Sequence, residues 1–116
     1  MTELHVELGQ RSYPIMIGAG AFKSALAQME KLRAAKRKTI CIADAAVLAA
    51  HPEKAAELKK HSEVVAVEGG EASKSFAKLA ELCSLFAQMK ADRKTCVFAL
   101  GGGVVGDLTG FAAAVY

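Results

Sequence analysis

Thr95-Cys96-Val97-Phe98-Ala99-Leu100-Gly101-Gly102-Gly103-Val104-Val105-Gly106-Asp107 is an apolar run that breaks on three consecutive glycines and continues into a largely apolar, helix-forming stretch. The pattern reads as strand, tight turn, helix. Glycines let the backbone turn sharply and approach a ligand with no Cβ in between, and the helix behind them aims free N–H groups and its positive dipole end at an anion. The expected ligand is a nucleotide pyrophosphate or a phosphate ester. Gly101, Gly103 and Gly106 satisfy the G-x-G-x-x-G spacing of dinucleotide sites. The loop follows a late strand, however, and the sequence stops short of the acidic residue expected about 20 residues further on, so ribose contacts are expected from upstream. The competing reading is a glycine turn that only lets a helix pack closely on a sheet. Gly103 is expected at a positive φ in space the ligand needs.

Upstream, short apolar runs alternate with helical stripes. Thr39-Ile40-Cys41-Ile42-Ala43 and Val64-Val65-Ala66-Val67 are strands apolar on both faces. Phe22, Ala25, Leu26, Met29 and Leu32 stripe one helix at spacings of three and four, and Phe76, Leu79, Leu82, Cys83, Phe86 and Met89 stripe another. Pro52 suits the first turn of a helix running through Lys60. At the front, Leu4, Val6 and Leu8 alternate with polar residues, as do Tyr13, Ile15 and Ile17 after Gly9-Gln10-Arg11-Ser12, which predicts a β-hairpin. Strands of this kind interleaved with helices predict an α/β fold: a Rossmann-like parallel sheet with helices on both faces, preceded by the hairpin.

Ligands of such sheets sit beyond the carboxyl ends of the strands. Those ends are Asp44, the segment Glu68-Gly69-Gly70-Glu71-Ala72-Ser73-Lys74, and the triple-glycine loop. Lys74 is expected in the first turn of the next helix, where a cation opposes the macrodipole by about 0.3–1 kcal/mol. Glu71 as an acceptor for ribose hydroxyls, with Lys74 nearby, suits the nucleoside end of a dinucleotide; a solvated pair at spacing three is the alternative. Asp107 either offsets a helix dipole or turns toward ribose hydroxyls, since it would be repelled by a pyrophosphate. Asp44 reads equally as a ligand or as a helix cap.

At 116 residues, 53% hydrophobic and 23% charged, the chain amounts to one domain. A net charge of +3 is too small to imply nucleic acid, and no apolar stretch approaches the ~18 residues of a membrane span. The N-terminus lacks the blocks of a signal peptide, so the cytoplasm is the expected compartment. Cys41, Cys83 and Cys96 are odd in number and widely spaced, which suggests neither a disulfide framework nor a zinc site. His5, His51 and His61 have no second ligand at metal-binding spacing. Lys31, Arg33, Lys36, Arg37 and Lys38 read as a solvated helix end, with no interleaved aromatics for base stacking.

Gly101-Gly102-Gly103-Val104-Val105-Gly106-Asp107-Leu108-Thr109-Gly110-Phe111 resembles the signature of the 3-dehydroquinate synthases, and Gly70-Glu71-Ala72-Ser73-Lys74 resembles that family's Gly-Glu-x-x-Lys segment. The resemblance runs in order over essentially the whole chain and covers the N-terminal NAD-binding portion of a family member. It implies the NAD domain of a cytoplasmic lyase of the shikimate pathway of aromatic amino acid biosynthesis. That enzyme converts 3-deoxy-D-arabino-heptulosonate 7-phosphate to 3-dehydroquinate and phosphate, using NAD as a transient oxidant. By similarity Asp44, Gly69, Gly70, Glu71, Ala72, Ser73 and Lys74 lie at the adenosine side of NAD, Gly102, Gly103, Val104, Val105 and Gly106 at the pyrophosphate, and Asp107 at the nicotinamide side. Ala45-Ala46 departs from the family where a polar residue is common. The resemblance further implies a divalent metal, zinc or cobalt, with ligands outside this chain, a sugar-phosphate substrate and a homodimer. No catalytic or metal-binding residue is expected within residues 1–116. Leu108 to Tyr116 carries no charge and ends without capping residues, so the domain is expected to be cut within a helix, with a metal and substrate domain beyond it. The alternatives are the NAD domain of a metal-dependent polyol or glycerol-phosphate dehydrogenase, and a non-catalytic nucleotide-binding module.

Overall fold

The computed structural model describes all residues from Met1 to Tyr116. Strands β1 (Thr2–Val6) and β2 (Tyr13–Ile17) form an antiparallel hairpin around a 3-10 turn at Gly9–Arg11. There follow α1 (Ala21–Ala34), β3 (Thr39–Asp44), α2 (Ala45–Ala50), α3 (Pro52–His61), β4 (Glu63–Val67), a 3-10 turn at Glu71–Ser73, α4 (Phe76–Gln88), β5 (Cys96–Leu100) and α5 (Gly103–Val115). The hairpin is a sheet of its own; the other three strands are parallel in the order β4-β3-β5.

Every residue of β3 from Thr39 to Ala43 is buried, because the strand is central and both its faces are covered. The two-residue side-chain period divides it. Ile40 and Ile42 join Val67, Leu82, Phe86, Val105, Leu108 and Ala112 in a core beneath α4 and α5. Cys41 and Ala43 join Leu26, Met29 and Leu58 in a second core beneath α1 and α3. Fully burying a side chain such as Phe86 contributes about 1.5–3 kcal/mol. Phe86 also meets the Tyr116 ring edge-on at 5.6 Å, and the Tyr116 hydroxyl donates to the Ala91 carbonyl at 3.0 Å.

The Rossmann-like α/β expectation and the hairpin are as the sequence indicated, and Pro52 opens α3 as expected. One packing expectation differs. Phe76, placed on the core stripe of its helix, is 88% exposed, at the first helical position. On the uncharged last helix, Val105, Leu108, Thr109 and Ala112 of α5 are buried, whereas Phe111 and Val115, with Tyr116 after them, are about half exposed. Helices α1 and α4 both end on a lysine in the left-handed region, Lys36 at φ 60 and Lys90 at φ 57.

Candidate functional site

Chain direction creates a crevice at the carboxyl edge of the sheet. From β3 the chain crosses through α3 on one face to β4, and from β5 it turns into α5 on the other face. The ends of β3 and β5 are therefore neighbours whose connections diverge, the arrangement that opens a ligand crevice in parallel sheets.

Asp44 stands at the centre of this edge. Its Oδ1 accepts the Ala46 N–H at 2.8 Å, so it caps α2, as one of the two readings of that residue had it. Oδ2 lies so close to Gly69, at the exit of β4, that a Cβ there would overlap it. On the other side a Cβ on Gly101 would meet the Asp44 Cβ and the Val105 side chain at 3.1 Å. Glycines on both neighbouring strand exits thus make the notch in which the carboxylate sits.

The triple-glycine loop delivers α5 with its N-terminus bare. Gly102 is the N-cap, no side chain caps the helix, and the first helical bond runs from the Gly106 N–H to the Gly102 carbonyl at 3.1 Å. The N–H groups before it have no partner within the helix. A Cβ built on Gly102, Gly103 or Gly106 would meet nothing within 4 Å, so the approach to these groups is open. Val104 is half-buried and Val105 is in the core, anchoring the first turn. The positive φ expected at Gly103 falls instead on Gly101, at 155°, because Gly103 already belongs to the helix.

The loop after β4 is held from within. Gly70 adopts φ 103, a conformation that favours glycine, and the Ser73 hydroxyl donates to the Glu68 carbonyl at 2.6 Å. Ser73 is buried, so its side chain shapes the loop; Glu71 and Ala72 are exposed. Lys74 is not in the first turn of a helix. Ser75 is the N-cap of α4, its Oγ accepting the Lys78 N–H at 3.1 Å, and Lys74 precedes it. The Lys74 Nζ reaches across to Asp107 Oδ2 at 3.0 Å, tying the loop to α5. The hydrogen bond to Asp107, aided by the charges of Asp107 and Glu71, raises the Lys74 pKa above its ordinary value. This pair replaces the Glu71–Lys74 pair suggested by their spacing.

Beside the ion pair runs a groove of about 410 Å³ between α4 and α5, walled by Phe76, Leu79, Leu108 and Phe111. Sequence reasoning missed it because it assigned Phe76 to the core. No three His, Cys, Asp or Glu side chains come together anywhere in the chain. No helix is long and apolar enough to cross a membrane.

The family model described as 3-dehydroquinate synthase N-terminal matches residues 64–116. The chain is 44% identical to the 3-dehydroquinate synthase of Rhodospirillum rubrum over 97% of its own length and 30% of that protein's. It is 40% identical to the synthase of Saccharophagus degradans, over all of this chain and 32% of that one. The chain thus spans about a third of the length of these relatives. Among solved structures, 2-deoxy-scyllo-inosose synthase complexed with carbaglucose-6-phosphate, NAD+ and Co2+ shares the fold at a TM-score of 0.74, with 22% identity over 99% of this chain and 32% of that one.

Proposed function

We propose that this chain is the NAD-binding portion of a 3-dehydroquinate synthase, because nearly all of it aligns with about a third of such enzymes and residues 64–116 match the model described as that family's N-terminal part. The whole enzyme would convert 3-deoxy-D-arabino-heptulosonate 7-phosphate to 3-dehydroquinate and phosphate, as a cytoplasmic homodimer. The observation that carries the reading is the bare N-terminus of α5, reached through a loop where no Cβ stands in the way. A dinucleotide pyrophosphate fits that cradle, since helix N-termini favour anions through both their free N–H groups and their dipole.

NAD supplies a transient hydride acceptor for a substrate hydroxyl. The chain's own residues hold it. The backbone from Gly102 through Gly106 receives the pyrophosphate. Lys74 balances the charge of Asp107, which beside a pyrophosphate would otherwise repel it, and leaves the second Asp107 oxygen to accept from a ribose hydroxyl on the nicotinamide side. Glu71, on the exposed loop between Gly70 and Ala72, accepts from the other ribose. Asp44 in its glycine notch, with Gly69 against it, and Ser73 through its loop contact, shape the adenosine end. The donor set of this chain does not fit a metal ion. The zinc or cobalt ion and the sugar phosphate are assigned to the remainder of the enzyme, and this chain alone is expected to be inactive.

Calorimetric titration of the chain with NAD+ tests the assignment. Saturable binding is expected, weakened roughly tenfold by Lys74→Ala through loss of a charge-assisted hydrogen bond. Gly103→Val should abolish it by filling the cradle, while phosphate release from the seven-carbon substrate stays at background. Affinity unchanged in both variants would remove the site from this loop.

A further inference from the structure

The opposite edge of the sheet carries a second concavity that nucleotide binding does not use. The starts of β3 and β4 and the C-terminal ends of α1 and α3 enclose about 480 Å³ with no hydrophobic residue in the lining. Six lysine and arginine side chains line it against one carboxylate, Glu63, a local excess of five positive charges. The whole chain carries only +3, so the surface outside this pocket is net acidic.

Half of these cations have an internal task. Arg33 donates to the Lys60 carbonyl at 2.6 Å, Arg37 donates to the Lys94 carbonyl at 2.7 Å, and Lys38 donates to the Met89 carbonyl. The Lys60 and Met89 carbonyls stand at the ends of α3 and α4, where satisfying carbonyls is the ordinary use of cations, and the Lys94 carbonyl lies in the turn before β5. The other three, Lys36, Lys59 and Lys60, are exposed and enter no salt bridge. Lys59 and Lys60 stand in the last turn of α3 and Lys36 just past the end of α1, so these three also offset helix dipoles. None has an acidic partner, however, and the local excess of five positive charges around one polar hollow makes a potential that favours a polyanion. The lining has no Phe, Tyr or Trp ring on which a base could stack, and the His61 ring is engaged by Glu30 at 2.9 Å, which disfavours single-stranded nucleic acid; the volume is that of a small-molecule pocket.

The geometry points to a binding site for a small oligophosphate, seated between Lys36, Lys59 and Lys60 and separate from the glycine loop. Recognition is by the phosphate chain alone. The probe is inorganic tripolyphosphate, titrated into the chain at low and moderate salt and followed by amide NMR shifts and calorimetry. Saturable one-to-one binding is expected, with shifts centred on Lys36, Lys59 and Lys60 and an affinity that falls with salt. Lys59→Glu should weaken it at least fivefold. Lys36→Gly should weaken it as well while leaving the melting temperature unchanged or higher, because glycine suits the left-handed position of residue 36 and the loss cannot then be blamed on folding. Lys23→Glu, the same charge change near the other end of α1, should leave affinity within about twofold. Adenosine triphosphate should bind this pocket no more tightly than tripolyphosphate. Equal weakening by Lys23→Glu, shifts confined to Gly102–Gly106, or a marked preference for the nucleoside would each overturn the assignment.

Discussion

Asp44 shows how a single side chain can depend on residues that have none. One carboxylate oxygen holds the first turn of α2, and the other occupies space that any residue but glycine at position 69 would claim. Gly69→Ala is therefore expected to destabilise the fold by about 1–3 kcal/mol, as overpacking does, and to displace the carboxylate from the strand exits. Asp44→Ala alone should cost about 1 kcal/mol as the loss of a cap. In the double variant the two costs should fall short of their sum, because the methyl group no longer meets a carboxylate. Urea unfolding of the four proteins measures the coupling. Strict additivity would mean that the backbone at Gly69 shifts without consulting Asp44.

At the scale of elements, the sequence was most legible where one physical pattern dominated. Ile40 and Ile42 against Cys41 and Ala43 announce a strand covered on both faces, and the glycines after Leu100 announce the turn into α5; both stand in the structure. The start of α4 was misread. Lys74, Ser75 and Phe76 are all compatible with a first turn, and only the hydrogen bond from the Lys78 N–H to Ser75 Oγ decides that the helix begins after Lys74. The Lys74–Asp107 pair was invisible for a related reason: it joins residues far apart in the chain, and no local periodicity reports it. Ser75→Ala should cost about 1 kcal/mol in stability, and amide exchange should quicken first in the opening turn of α4 and in the loop carrying Lys74. Exchange unchanged there would place the helix start under other control.

For the whole molecule, Cys41 links acidity to stability. It is buried in the core beneath α1 and α3, and burial pushes its thiol up to about 11. The unfolded chain gives up this proton near the ordinary thiol value of about 8.5. Below that pH both states keep the proton and the contribution is fully present. Above it the unfolded state is favoured progressively until the folded thiol also ionises, so stability should decline by about 2–3 kcal/mol between roughly pH 9 and 11. Cys41→Ala should remove that part of the alkaline decline, read as the difference between the two proteins' chemical unfolding curves across this range. Parallel curves would show that the thiolate is accommodated where it forms.

The strand order has a consequence in time. Because β3 lies between its partners, Ile40 finds Glu63 after a short excursion of the chain, whereas Thr39 must wait for Cys96, far later in sequence. Closing the longer loop costs more entropy and comes later, so a ribosome would release the β3–β4 pair well before the last strand exists to dock. The glycine loop rides on that last strand. Until it arrives, the newborn chain has its central strand covered along one edge and bare along the other, a ready template for a neighbouring polypeptide.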